Sequence, residues 1–195
     1  IIRHSTPGRG AHALETSTDL PLSIDSVFEF FANAENLERI TPPELNFSIV
    51  APPRGGIGEG AHIRYRLRLW GIGFGWKTFI SDWQPPRHFV DEQISGPFTV
   101  WRHRHSLERT DRGTIMHDQV DYALPLAPIG ELAHPLVRRQ LRRIFAYRHA
   151  AMLRLFAPSC TDRFVISFDG ESGNRPGTAK KRGGAGSANP FGATE

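Results

Sequence analysis

The chain has 195 residues, 39% of them apolar, with thirteen Phe and four Trp; this suits one domain with a sizeable core and is too aromatic for a wholly disordered chain. Its single Cys excludes an intramolecular disulfide framework and any multi-cysteine zinc or iron–sulfur site, and no run approaches the roughly 20 apolar residues of a membrane-spanning helix. The formal charge of +4 is thinly spread, since residues 12–156 carry 17 basic and 16 acidic side chains; no nucleic-acid partner is expected from so balanced a stretch.

Along the chain, residues 1–11 hold Pro7, Gly8 and Gly10 with little apolar content and read as a flexible leader. His12 to Leu20 reads as a strand closed by Pro21. A helical stretch follows, capped by Ser23 or Asp25, with Val27, Phe28, Phe31 and Leu37 at helical intervals and a break near Asn33. Pro42 and Pro43 end it, Asn46 to Val50 is a short strand, and Pro52 to Gly60 is a loop. His62 to Trp70 alternates, with Ile63, Tyr65, Leu67 and Leu69 on one face and Arg64, Arg66 and Arg68 on the other. Four more strands are predicted over Phe74–Trp83, Arg87–Ile94, Phe98–Leu107 and Gly113–Ala123. Their connections are too short for parallel crossovers, so antiparallel hairpins are expected. A long helix then runs from Pro135 to Phe156 and is stopped by Pro158. Its apolar face comprises Val137, Leu141, Ile144, Phe145, Met152 and Leu155. Phe164 to Phe168 is ambiguous between an added edge strand and part of the tail; the Gly-rich stretch 170–195 reads as disordered.

A sheet with one wet face must bury the other, and the last helix has the matching stripe. The fold class expected is therefore α+β: a curved antiparallel sheet of about seven strands gripping the long C-terminal helix. A deep curve would leave a cavity between them, suited to a small apolar ligand.

Some residues do not fit a plain core. Arg148 falls at the centre of the apolar stripe, where a charge must be paired or reach water; an anchor for a polar ligand group and a structural ion pair are both open. Trp101, His103 and His105 share one strand face, while Met116, Asp118, Val120 and Tyr122 share the inward face of the next strand. A four-residue turn would place Glu108 opposite Gly113 and His103 opposite Asp118. An inward His–Asp pair is open to three readings. Asp118 could orient His103 or His105 while the other nitrogen faces a substrate, the two His with a carboxylate could hold a metal, or the group could be a satisfied polar network. On the preceding strand Phe89, Asp91 and Gln93 share a face, and Asp91 is a possible partner of Arg148. Tyr65 and Trp76 are cavity or core aromatics. Cys160, with no neighbouring His, gives no sign of covalent catalysis.

The run Asp82-Trp83-Gln84-Pro85-Pro86-Arg87-His88-Phe89-Val90-Asp91 is followed by Gly96-Pro97-Phe98 with Trp101, His103 and His105. Gly113-Thr114, Met116, Asp118, Val120, Tyr122 and Pro125 come next, then Ile144-Phe145 with Arg148. In these residues the chain, over about 12–156, resembles the START-like, helix-grip superfamily. It is most similar to the bacterial ligand-binding proteins labelled cell-division-inhibitor-like, relatives of the polyketide cyclase/dehydrase and lipid-transport families. That resemblance implies a fold and a cavity more than a reaction: members bind lipids, sterols, polyketides or plant hormones, and some catalyse cyclisation, dehydration or hydrolysis.

The reading taken is a binding protein for a small, largely apolar molecule with a polar or acidic group, contacted by Arg148, Tyr122, Trp101, Asp91, Tyr65 and Met152. The alternative is a cofactor-independent cyclase, dehydratase or hydrolase that uses His103, His105 and Asp118. No cofactor, metal, nucleic acid or integral membrane segment is expected, no protein partner is indicated, and with no signal-peptide pattern a cytoplasmic location is expected.

Overall fold

A computed structural model describes residues 11–51, 53, 56–156 and 164–169. Strand β1 (Ala11–Leu20) leads into helix α1 (Ile24–Ala32), the single turn α2 (Asn36–Arg39) and a 3₁₀ turn over Pro43–Leu45. Six strands follow: β2 (Ser48–Ala51), β3 (His62–Leu69), β4 (Ile72–Gln84), β5 (His88–Ser95), β6 (Val100–Thr110) and β7 (Gly113–Ala123). A 3₁₀ turn over Ile129–Ala133 opens helix α3 (His134–Phe156), and β8 (Phe164–Phe168) comes last. The strands make one antiparallel sheet in the order β2-β3-β4-β5-β6-β7-β1-β8. This is the α+β helix-grip fold, a sheet wrapped around a long helix near the C-terminal end of the described chain.

Local chemistry sets most boundaries. The Ser23 side chain accepts a hydrogen bond from the Ser26 amide at 3.2 Å and caps α1, whose Ile24, Val27, Phe28 and Phe31 are buried. Asn33 ends α1 in an extended conformation. Asn46 takes a left-handed φ of 42°, closing the 3₁₀ turn, so β2 starts at Ser48 and not at Asn46. Trp70 (φ 50°) and Gly71 (φ 81°) form a two-residue hairpin loop with both residues left-handed, the twist that joins β3 to β4 without splaying them.

One expectation needs correction. The β6–β7 turn holds two residues, Asp111 and Arg112, not four: Thr110 faces Gly113, so His105 lies opposite Asp118 and His103 opposite Val120. Because the shift is two residues, every side chain keeps its face and the inward set survives. The sheet of about seven strands is there with eight: Phe164–Phe168, open between edge strand and tail, pairs with β1 from Thr18 back to Leu14. The leader 1–10 and the stretch 170–195 lie outside the described residues.

Register shifts at Lys77/Thr78 and Ile80/Asp82 interrupt the β4 ladder, and bulges of this kind bend a strand. Across the concave face lies α3, 23 residues and roughly 34 Å long. One buried cluster joins α1 to the end of α3 through Phe28, Phe31, Phe89, Met116 and Met152. A second joins the first half of α3 to β1, β7 and β8 through Leu14, Val120, Tyr122, Leu141, Phe145 and Phe168. Leu155, expected on the apolar face, is 37% exposed. Among the described residues no helix is long and apolar enough to cross a membrane.

Candidate functional site

Between α3 and strands β3 to β6 the structure leaves a cavity of about 490 Å³. Tyr65, Trp76 and Trp101 line it from the sheet, and Val137, Leu141 and Phe145 from the helix. Inward positions of β3 and β4 reach it because alternation places Ile63, Tyr65 and Leu67 on the same side as Trp76 and Thr78. Trp76 and Trp101 meet edge to face at 5.2 Å between ring centres, which stiffens the aromatic wall. At the mouth stand Trp70, 54% exposed, and Leu126, 80% exposed.

Arg148 reaches this cavity from α3. Its guanidinium lies 5.7 Å from the centre of the Phe145 ring, and among the described residues no carboxylate forms an ion pair with it. The Asp91 partner considered from sequence is instead committed to the histidines, and Arg148 acts on it only through space.

Four ionisable side chains occupy one wall of the cavity. Asp118 Oδ1 lies 2.9 Å from His103 Nε2 and 2.7 Å from His105 Nδ1. The first contact is a hydrogen bond; the second is close but off-line, so His105 Nδ1 has no hydrogen-bond partner. On the opposite side Asp91 Oδ2 lies 3.2 Å from His105 Nε2, a hydrogen bond, and 3.6 Å from His103 Nδ1. Two imidazoles, 3.8 Å apart between ring centres and tilted by 38°, thus sit between two carboxylates. Asp91, His103 and His105 line the cavity, whereas Asp118 stands behind them and also accepts from Thr16 Oγ1 at 3.3 Å. Burial alone would raise the Asp118 pKa, but the hydrogen bond from His103 and the close contact of His105 hold it well below the ordinary carboxylate value. Asp91 is likewise lowered, because contact with His105 and the charge of His103 outweigh burial. Burial and the neighbouring His105 lower His103, while the two carboxylates raise His105 against its own burial. Tyr65, hydrogen-bonded to Thr78 at 2.8 Å, is raised by burial and by Asp91.

The structure thus brings Arg148, Trp101, Asp91, Tyr65, His103 and His105 to one cavity. It does not bring Tyr122 or Met152 there. Tyr122, fully buried, belongs to the second core cluster and its hydroxyl bonds His134 Nε2 at 3.1 Å; burial and Asp169 push its pKa up to about 12. Met152, 1% exposed, packs in the first cluster beside α1. Face alternation supplied the side but not the depth along the strand or helix, and at these two places core closes over the position. Unforeseen lining comes from Thr78, Gln140 and the segment Leu124–Leu126. A separate group, His12, Glu131 and His134, forms where β1 meets the start of α3; nothing in the local sequence joins residues 119 positions apart.

No curated protein matches the chain. Among solved structures, a START superfamily protein from Mycobacterium smegmatis is 16% identical with a TM-score of 0.58, covering 74% of this chain and 99% of its own. The Zhui aromatase/cyclase from Streptomyces sp. R1128 is 18% identical with a TM-score of 0.55, covering 77% and 99%. At these identities the likeness is one of fold. The family profile for polyketide cyclase/dehydrase and lipid transport matches residues 20–146, from the end of β1 into the middle of α3. The chain belongs to that family.

Proposed function

We propose that the protein binds a small, largely apolar molecule in the cavity between α3 and the sheet, with an anionic or strongly polar group of that molecule against Arg148. The observation that carries this reading is a guanidinium lining an aromatic cavity without an ion-pair partner among the described residues. A half-buried cation is partly stripped of water, and a ligand acid would compensate that loss. Trp101 and Tyr65 supply apolar area, and Asp91 disfavours a second anion beside the histidines.

A pair of dyes that differ chiefly by one sulfonate tests the claim. 1-Anilinonaphthalene-8-sulfonate should bind more tightly than its neutral counterpart N-phenyl-1-naphthylamine. Arg148→Ala should cost the sulfonate roughly 10- to 100-fold in affinity, the worth of about 1.5–3 kcal/mol for a charged hydrogen bond, and the neutral dye less than threefold. Equal losses for both dyes, or none for either, would remove Arg148 as the anchor.

The second reading, catalysis by His103 or His105 with Asp118, draws on the carboxylate that braces both imidazoles. In it the other ring nitrogens do not meet substrate directly, since both look at Asp91 Oδ2, and Asp91 becomes the group through which a proton would pass. Any turnover found should fall at least 100-fold in Asp91→Asn as well as in His105→Gln; turnover indifferent to Asp91 would discard that route.

A further inference from the structure

On the Asp91 side of the histidine pair the donor atoms stand close together. Three donor atoms from three separate side chains, Asp91 Oδ2, His103 Nδ1 and His105 Nε2, lie within 4.8 Å of one another. Two of the separations are 3.2 and 3.6 Å. An ion bound at about 2.1 Å to each of three such atoms needs them roughly 3.0 Å apart for right-angled bonds and roughly 3.4 Å for tetrahedral ones. The donors are therefore already spaced as ligands.

The remaining nitrogens complete the bookkeeping of protons. A ligating imidazole uses one nitrogen as a lone-pair donor and offers N–H from the other, usually to a carboxylate that fixes the ring. Here His103 Nε2 and His105 Nδ1, the two nitrogens turned away from Asp91, both face Asp118 Oδ1, at 2.9 and 2.7 Å. Asp118 is 3% exposed and is held in turn by Thr16. Asp118 Oδ1 thus accepts from His103 Nε2, which leaves a lone pair on His103 Nδ1 toward Asp91; His105 Nδ1 stands close to the same oxygen and would take up the ring proton that Nε2, now bonded to Asp91, gives up on binding an ion. Charge points the same way: two carboxylates, Asp118 buried and Asp91 half-buried, flank the two imidazoles, and a divalent ion would offset negative charge there. Arg148 does not occupy Asp91.

We propose that Asp91, His103 and His105 bind one divalent transition-metal ion of the Zn²⁺ type, with Asp118 as the carboxylate that orients both histidines. Two imidazoles and one carboxylate favour such an ion over Mg²⁺ or Ca²⁺, which prefer all-oxygen sites. Because the three ligands line the cavity, the ion's remaining positions face it and would accept an oxygen or nitrogen of a ligand held there. His12, Glu131 and His134 are the other candidate group, but the two rings stack at 3.6 Å with 13° between planes, so their in-plane lone pairs run side by side rather than converge.

The test uses the full chain, stripped with a chelator and then titrated with Zn²⁺ by calorimetry and with Co²⁺ by visible absorption. The expected result is one ion per chain with micromolar or tighter affinity. His105→Ala and Asp91→Ala should each weaken Zn²⁺ binding at least tenfold and Asp118→Asn roughly 10- to 100-fold, while the pair His12→Ala with His134→Ala leaves it within twofold. Should the cavity variants fail to fold, proton NMR of the Co²⁺-loaded wild type reads the same geometry: two strongly shifted ring N–H signals, from His103 and His105, that persist in the His12→Ala/His134→Ala protein. Absence of saturable binding, binding that survives both His105→Ala and Asp91→Ala, or loss of the site in the His12/His134 variant would each overturn the proposal. All of these readings are made without an organic ligand, so they stand or fall separately from the dye measurements.

Discussion

Gly113 shows how much one residue of this chain can be required to do. It opens β7 at a φ of 142°, a conformation that L-residues rarely adopt, and a Cβ placed there would run into the Leu20 carbonyl oxygen. Its neighbour Thr114 donates to the Leu22 carbonyl at 2.8 Å, so the same few atoms tie the β6–β7 hairpin to the entry of α1. Gly113→Ala meets both a forbidden dihedral and a backbone clash that no side-chain rotation relieves. It should cost roughly 2–4 kcal/mol of stability, beyond the ordinary range for a single surface change, read as a lower midpoint in urea at unchanged slope. A loss under 0.5 kcal/mol would show that the hairpin can shift away from Leu20. The functional residues were legible at this scale to different degrees. Arg148, His103, His105 and Asp118 were visible because polar side chains stood on apolar faces. Tyr122 and Met152 were misplaced because a face pattern cannot tell which inward residues meet open space and which meet a neighbour.

Elements were the most legible level, and the misses there have identifiable causes. Alternation over His62–Leu69 and Gly113–Ala123 located those strands to within a residue. The β6–β7 register slipped by two because strand propensity near Glu108–Thr110 is weak, which left the turn length undetermined by pattern; parity preserved the faces. β8 was ambiguous because five apolar-rich residues next to a Gly-rich stretch have no local reason to pair. Their partner is β1, more than 140 positions earlier. Once paired, Phe168 is 4% exposed, within the second core cluster, with the guanidinium carbons of Arg138 and Arg142 at 4.9 and 5.4 Å from its ring centre. Phe168→Ala should therefore cost about 3 kcal/mol, which for a domain of this size lowers the thermal midpoint by roughly 6–12 °C. A chain ended at Phe156 should also expose the β1 edge and self-associate in sedimentation, since an unpaired edge strand is a template for further pairing. A truncated chain that stays monomeric and as stable as the full one would make β8 an ornament of the sheet.

For the molecule as a whole, the central claim is that sheet and helix close imperfectly, leaving space that side chains could have filled and did not. One core cluster lies at the end of α3 and the other along its first half, on the side of β1, β7 and β8; the cavity runs past residues 137–148 of the helix on the side of β3 to β6, where register shifts interrupt the β4 ladder. Empty apolar volume is a standing loss of packing energy, so filling it from one wall should be tolerated or even favourable, while any ligand loses its room. Ile144, partly exposed on α3 and lining the cavity, is the position to fill. Ile144→Trp should leave the thermal midpoint unchanged or raise it by a few degrees, and should weaken the anionic and neutral naphthyl dyes alike by tenfold or more. That joint loss separates occlusion from Arg148→Ala, which should distinguish the two dyes. Overpacking of a closed core costs about 1–3 kcal/mol instead. A fall of that size in Ile144→Trp, with dye binding intact, would mean that the space beside residue 144 is not open and that the dyes bind elsewhere on the protein.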